Sequence, residues 1–288
     1  MKKWMWIPLV LIVTFVGDRL MAHLLTNAVD KSEFRYSRLY AGEGKADIVF
    51  LGNSRGLNFF QPYIEQATGK TTLNLSYNAM PADIGGVLLR DYMDAYGAPE
   101  KLVVDATFLD RDNEELVRDF RVYAQYSDRL DSLLKETDSS IYWGTKVAHL
   151  SRYGGEVAQR MFYYLSTSDE DWLLDRQISK QVVEASANLE PYRNNYTLDR
   201  VRAFGEVVKE FQDAGTEVHF VINPYYPAFQ KTIMNLDSLA LDVQKETGIQ
   251  VLDYSKSVTG DQNFGDYQHL NKQGAEVYLG RLLKDIGL

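Results

Sequence analysis

The sequence predicts an α/β fold, a three-layer sandwich built on a five-stranded and mostly parallel sheet. Five short, largely apolar runs suit strands buried on both faces. Amphipathic helical stretches separate most of these runs, and a strand–helix–strand rhythm builds parallel sheets through crossovers. A third observation sets one segment apart. Lys2 and Lys3 precede a charge-free run from Trp4 to Gly17 dominated by aliphatic and aromatic residues, the layout of a signal sequence or signal anchor.

In chain order, residues 1–29 are expected to form a membrane helix. The charge-free run is short for a full span, but Leu20, Met21, Leu24 and Leu25 extend an apolar face and Arg19 can snorkel towards headgroups. Asp18 is the costly residue in that extension. Thr26 and Ala28 are the only passable pair for a cleavage site, and both lie far from the apolar run. This favours a retained anchor over cleavage or a merely buried helix. The leading lysines keep the N-terminus cytoplasmic, so the rest of the chain is expected outside the cytoplasmic membrane, held by a single pass.

A polar connection, residues 30–45, leads to the main domain, residues 46–288. Its apolar runs are Ile48 to Leu51, Thr72 to Leu75, Lys101 to Val104, Val218 to Ile222 and Ile249 to Leu252. The helical stretches are Pro62 to Thr68, Ala82 to Tyr96, Leu198 to Ala214, Asn235 to Thr247 and Lys272 to Ile286. Residues 110–197 break the rhythm and read as a helical insertion rich in aromatics, among them Tyr142, Trp143, Tyr163, Tyr164 and Trp172. Aromatic side chains dominate ordinary cores, which favours an insertion core over a lid or sugar-stacking surface.

Composition removes several classes of function. A net charge of −9 without a Lys/Arg cluster argues against a nucleic-acid partner. The absence of cysteine excludes disulfides, thiolate metal sites and cysteine nucleophiles. Four scattered histidines, with no paired His-x-x-x-His, supply no recognisable metal-ligand set, and neither a metal nor an organic cofactor is expected.

Chemistry concentrates at two distant segments. ADIVFLGNSRG places Ser54 just past the first strand, and GDYQHLN places Asp266 three residues before His269, between the fifth strand and the last helix. Loops after the carboxyl ends of parallel strands gather on one rim, so the two segments can converge. His269 is the expected base for the Ser54 hydroxyl, and a carboxylate beside it holds the tautomer. His23 lies in the membrane segment, His149 in the insertion and His219 within a strand, which leaves His269 by elimination. Asp253, at the end of the fifth strand, competes with Asp266 for the orienting role. Ser54 alone also suits a helix N-cap. Asn53 reads as a turn residue and Arg55 as a salt-bridge partner at a helix start, or as a contact for an anionic substrate group. Tyr225 and Tyr226, in a proline-bounded loop after the fourth strand, are candidates for the substrate pocket. Gly52 permits the tight turn, and backbone N–H groups at the start of the following helix can bind an oxyanion.

These blocks resemble the SGNH hydrolase superfamily, relatives of the GDSL esterases. ADIVFLGNSR, LNLSYNAMPADIG and NFGDYQHLNKQGAEVY occur in the order and at the distances such proteins show. The likeness is greatest to membrane-anchored, extracytoplasmic bacterial members, some of which resemble cell-envelope O-acyltransferases. It covers 46–76, 82–105 and 215–288 and leaves the helical insertion uncovered. The resemblance implies a flavodoxin-like sheet, a Ser54–His269–Asp266 triad and an oxyanion hole formed by the N–H groups of Ser54 and Ala79, or Asn78 if the register slips by one. Two departures stand out. Alanine occupies the glycine position of the second block, and VVDATFLDRD lacks the asparagine of the third, whose donor Thr107 or Asn78 would replace.

The expected function is a serine esterase or O-acyltransferase acting on an ester of an envelope glycan or similar substrate. A transferase would need an acyl donor delivered across the membrane, hence an integral-membrane partner. The alternative is a non-catalytic member of the fold serving as a glycan-binding or assembly module.

Overall fold

A computed structural model describes residues 4, 6–167 and 174–288. Lys2, Lys3 and Trp172 lie outside the described residues. The helices among them are α1 (Trp6–Asp30), α2 (Arg35–Ala41), α3 (Gln61–Thr68), α4 (Ala82–Tyr96), α5 (Glu114–Asp119), α6 (Asp128–Thr137), α7 (Ser139–Val147), α8 (Glu156–Tyr163), α9 (Lys180–Ala185), α10 (Leu198–Asp213), α11 (Pro227–Gln230), α12 (Leu236–Thr247) and α13 (Lys272–Asp285). The strands are β1 (Ile48–Leu51), β2 (Thr72–Asn74), β3 (Lys101–Asp105), β4 (Glu217–Ile222) and β5 (Val251–Asp253). The chain divides into two compact units, one of residues 1–43 with 114–169, the other of residues 44–113 with 170–288.

The second unit holds the sheet. Its five strands run in the order β2-β1-β3-β4-β5 and every pairing is parallel, so no antiparallel strand tempers the expected arrangement. Val49 pairs with both Leu73 and Leu102, and Phe220 with both Val104 and Val251. All four residues of β1 are buried, which is why the run lacks polar alternation. Ile48, Phe50, Val103 and Val221 share a core with Ile64 of α3 and with Tyr278, Leu279 and Leu282 of α13. On the opposite face Phe204 of α10 meets Phe220 edge-on at 6.3 Å and Phe108 at 4.8 Å. Successive strand residues thus feed two helical layers, as the pleat requires. The expected strands and helices of this unit form within a residue or two of their predicted ends.

The first unit is helical. Residues 30–45 are not a bare connection, because α2 buries Arg35, Tyr36, Ser37 and Leu39. Phe34 stacks on Tyr164 at 5.5 Å, Tyr36 packs on Phe120 at 4.8 Å, and the Ser37 and Tyr123 hydroxyls lie 2.9 Å apart. The expected insertion, 110–197, is divided: its first part builds this helical unit, and residues 174–197 belong with the sheet. Its aromatics divide too. Tyr164 is core, whereas Trp143 and Tyr163 are 58% and 52% exposed. Helix α1 is long and apolar enough to cross a membrane, and most of its apolar residues are exposed.

Candidate active site

The site forms at the carboxyl end of the sheet, within the second unit. β1 ends at Leu51, and Gly52 and Asn53 turn the chain into a 3₁₀ helix over Ser54–Asn58. The turn is tight. A Cβ on Gly52 would sit 3.0 Å from Asp105 Cβ and from Gly56 Cα, and one on Gly56 would sit 2.8 Å from Ser76 Cβ. Both positions therefore need glycine for close approach rather than for an unusual φ. Asn53, not Ser54, is the helix cap: its side chain accepts from Arg55 N at 3.0 Å and donates to Thr107 O at 3.2 Å. That leaves the Ser54 hydroxyl free for another partner.

The partner arrives on the loop between β5 and α13. Phe264 and Leu270, both buried, bridge each other and pin a turn in which Gly265 N donates to His269 O at 2.9 Å. Asp266 Oδ1 accepts from the N–H groups of Gln268 and His269 at 2.8 and 2.9 Å, so the carboxylate builds the turn it sits in. Asn271 caps α13 through Gly274 N at 3.0 Å and donates to Gln262 O at 2.7 Å. A strap from the sheet-bound part of the expected insertion supports this loop. Lys272 N donates to Leu174 O at 3.0 Å, and Ile178 N donates to Phe264 O at 2.6 Å.

Ser54, His269 and Asp266 meet. His269 Nε2 is 2.8 Å from Ser54 Oγ, and Nδ1 is 2.9 and 3.0 Å from the two Asp266 oxygens. With the Nδ1 proton directed at Asp266, Nε2 is left to accept from the Ser54 hydroxyl. The His269 and Asp266 side chains are 25% and 28% exposed, and Ser54 is half-buried, so the row is reachable from solvent. Burial pushes the Asp266 carboxyl up. Hydrogen bonds from the His269 ring and from the Gln268 and His269 N–H groups outweigh it and hold the group below the usual carboxylate range. Asp253, the competing carboxylate, accepts from Ser255 N at 2.7 Å and serves its own turn.

Backbone donors lie nearby in the fold. Among the described residues neither the Ser54 N–H nor the Ala79 N–H has an acceptor. The segment after β2 is tied to the nucleophile turn, with Tyr77 N donating to Gly52 O at 3.3 Å and Asn74 Nδ2 donating to Gly56 O at 2.9 Å. Ala79 has φ +52°, the left-handed region that favours glycine, within a turn closed by Met80 N to Tyr77 O at 3.2 Å. Ala79→Gly should therefore raise stability by roughly 0.5–1 kcal/mol, read as a higher urea midpoint. An unchanged or lower midpoint would contradict the strain. Asn78 is exposed.

Thr107 does not supply the missing third donor. It is fully buried, its hydroxyl donates to Asp105 Oδ1 at 2.6 Å, and it accepts from the Arg55 guanidinium. Arg55 and Tyr225 do not face a ligand either, being 4% and 1% exposed, with the guanidinium 4.7 Å above the Tyr225 ring. Arg55 Nε lies 3.7 Å from Asp105 Oδ2, and Asn223 Nδ2 donates to Arg55 O and Asp105 Oδ2 at 3.1 and 3.3 Å. Burial works against the guanidinium charge, but Tyr225, Asp105 and Asp110 around it hold it protonated, while burial pushes Asp105 up. Tyr226 is also turned away, its hydroxyl donating to Asp261 Oδ1 at 2.9 Å.

Asp105 and Asn223, which brace the nucleophile turn from β3 and β4, escaped the sequence reading. Each follows or ends an apolar run on the rim that carries Ser54, and that position was the available signal. Among the described residues no group of three or more His, Asp or Glu is placed to hold a metal.

A scan of the chain against protein-family models finds no match, and a search of curated proteins finds none either.

Proposed function

We propose that this protein is a membrane-tethered serine esterase or O-acyltransferase of the SGNH type, acting outside the cytoplasmic membrane on an ester of a cell-envelope glycan or a similar substrate. One observation carries the reading: the unbroken row of hydrogen bonds from Ser54 through His269 to Asp266. A β2-β1-β3-β4-β5 order, shared with flavodoxin-like sheets, supports the fold assignment. Ser54 and the residues after β3 flank the place where the strand order reverses, where ligands of such sheets bind. The N-terminal apolar helix supports the tether.

In this mechanism Ser54 Oγ bonds to the acyl carbon while its proton passes to His269 Nε2. Asp266 steadies the imidazolium. The Ser54 and Ala79 N–H groups take the oxyanion, a role that fits their lack of other acceptors. The ester bond then breaks, and the departing alcohol takes the proton from His269. Water or a sugar hydroxyl, deprotonated by the same imidazole, attacks the acyl-serine, and Ser54 Oγ takes the proton back from His269 as its bond to the acyl carbon breaks. Water gives hydrolysis and a sugar gives transfer, and transfer needs a membrane partner to deliver the acyl group.

The committed Thr107 hydroxyl favours one alternative, a non-catalytic envelope module of the same fold. Losing one oxyanion donor costs about 2.7–4 kcal/mol of transition-state stabilisation. Incubating the purified full-length chain with a fluorophosphonate separates the two. The enzyme takes up one adduct, mapped by mass spectrometry to the peptide containing Ser54. A chain that stays unmodified sinks the catalytic reading.

A further inference from the structure

Asp18, the costly residue of the apolar helix, is satisfied by the helical insertion. Its two carboxylate oxygens accept from the backbone N–H groups of His149 and Leu150, each at 2.9 Å, and the neighbouring Arg19 donates to it and to Val147 O at 3.2 Å. Further along α1, the Tyr153 hydroxyl donates to Ala22 O at 3.0 Å and lies 2.8 Å from Thr26 Oγ1. The end of α7 and the 3₁₀ helix His149–Tyr153 are therefore fastened to α1 between Asp18 and Thr26.

That level is constrained by length. The charge-free run from Trp4 to Gly17 covers only about 20 Å of helix axis, against roughly 30 Å of bilayer hydrocarbon. If α1 crosses a membrane, Asp18 lies at or inside the boundary of the hydrocarbon, and the backbone bonded to it lies there too. The side chains around this seam suit that place. Trp143 and Val147, one turn apart on α7, are 58% and 72% exposed, and Leu150 is 40% exposed. On α1 itself Phe15, Leu20, Met21 and Leu24 are exposed at the same level. Tryptophan favours the membrane–water interface, and local hydrogen bonds lower the cost of a carboxylate near lipid.

We propose that Trp143, Val147 and Leu150 form a membrane-docking surface that enters the interface of the same bilayer α1 spans. The proposal rests on reading α1 as an anchor. Lipid is the favoured occupant because the patch continues the exposed apolar surface of that helix. Docking would hold the helical unit against the membrane instead of leaving it to swing on a single tether.

The chain contains four tryptophans, so Trp4→Phe, Trp6→Phe and Trp172→Phe leave Trp143 as the sole emitter. The full chain is reconstituted in phosphatidylcholine/phosphatidylglycerol nanodiscs with lipids brominated high on the acyl chains. Trp143 emission should be quenched about twofold or more relative to unbrominated discs, since the ring sits at interfacial depth. A companion variant keeping only Trp6 reads α1. Quenching of Trp6 without quenching of Trp143 overturns docking and leaves the anchor standing; quenching of neither overturns both. A second readout avoids the tryptophan changes. Val147→Cys, the only cysteine in the chain, carries a nitroxide whose collisions should favour oxygen over a water-soluble nickel complex. A label open to the nickel complex, as for a solvent-facing patch, or shielded from both reagents, as for a patch covered by protein, also overturns docking.

Discussion

Replacing His269 with alanine should slow phosphonylation of Ser54, and any ester turnover, by about 10²–10⁴-fold. The ring's Nε2 lies 2.8 Å from the Ser54 hydroxyl, placed to take its proton, and no other histidine lies within the row. Stability should fall by only about 1 kcal/mol, because Asp266 loses the ring that helps hold its carboxyl down while the backbone N–H groups bonded to it survive the substitution. Asp266→Asn should approach the same loss of rate, since an amide no longer selects the tautomer with the proton on Nδ1 or steadies the imidazolium. Stopped-flow labelling with a fluorophosphonate measures both. A rate unchanged in His269→Ala would mean that the hydrogen-bonded row is not a catalytic one. Asp266 also contributes to stability. Its carboxyl is held below the usual range, so that contribution is full above the ordinary carboxylate value, near 3.9, and disappears as pH falls through the lower folded value. The Asp266→Asn variant should lack this acid-side loss.

The second large effect concerns folding. Arg55→Met should destabilise the protein by about 3–5 kcal/mol at pH 7, the usual result of leaving one member of a buried ion pair uncompensated. Asp105 is fully buried and, among the described residues, would keep Thr107 and Asn223 as its donors. The deficit should shrink in acid. Burial already raises the Asp105 carboxyl, and loss of the guanidinium raises it further. The folded variant then binds more protons than the unfolded chain between the ordinary carboxylate value and the raised one, so its stability falls as pH climbs through that window. Urea unfolding at pH 4.5 and 7 tests this, and a deficit independent of pH would remove Asp105 from the explanation. Because Arg55 follows the nucleophile, the variant should also label more slowly under conditions where it remains folded.

Much of this architecture was legible in the chain. Strands β1, β3 and β4 announce themselves as apolar runs because both faces of a parallel strand are covered, and that burial leaves no room for polar alternation. Ser54, Asp266 and His269 were legible as a set because each sits just past a strand end or before a helix start, and parallel topology sends all such loops to one rim. The interior partners were not. Arg55 reads as a salt-bridge partner at a helix start, but its partner Asp105 and the neighbouring Thr107 and Asn223 come together beneath it only when β3 and β4 assemble. Likewise nothing local distinguishes Asn53 from Ser54 as the helix cap. The choice depends on Thr107 O receiving the Asn53 amide and on His269 receiving the Ser54 hydroxyl.

The same division holds at the N-terminus. Residue order alone marks α1 as apolar and Asp18 as its expensive member, since both follow from side-chain chemistry read along one helix. That Asp18 is satisfied by the N–H groups of His149 and Leu150 is a tertiary fact, because those donors lie far along the chain and become available only where a 3₁₀ helix begins. Periodicity and strand-end position, being local, mark out the strands, the helices and the segments that carry the candidate site. Partner choice for buried charges depends on which distant segments meet, and only the folded chain decides it.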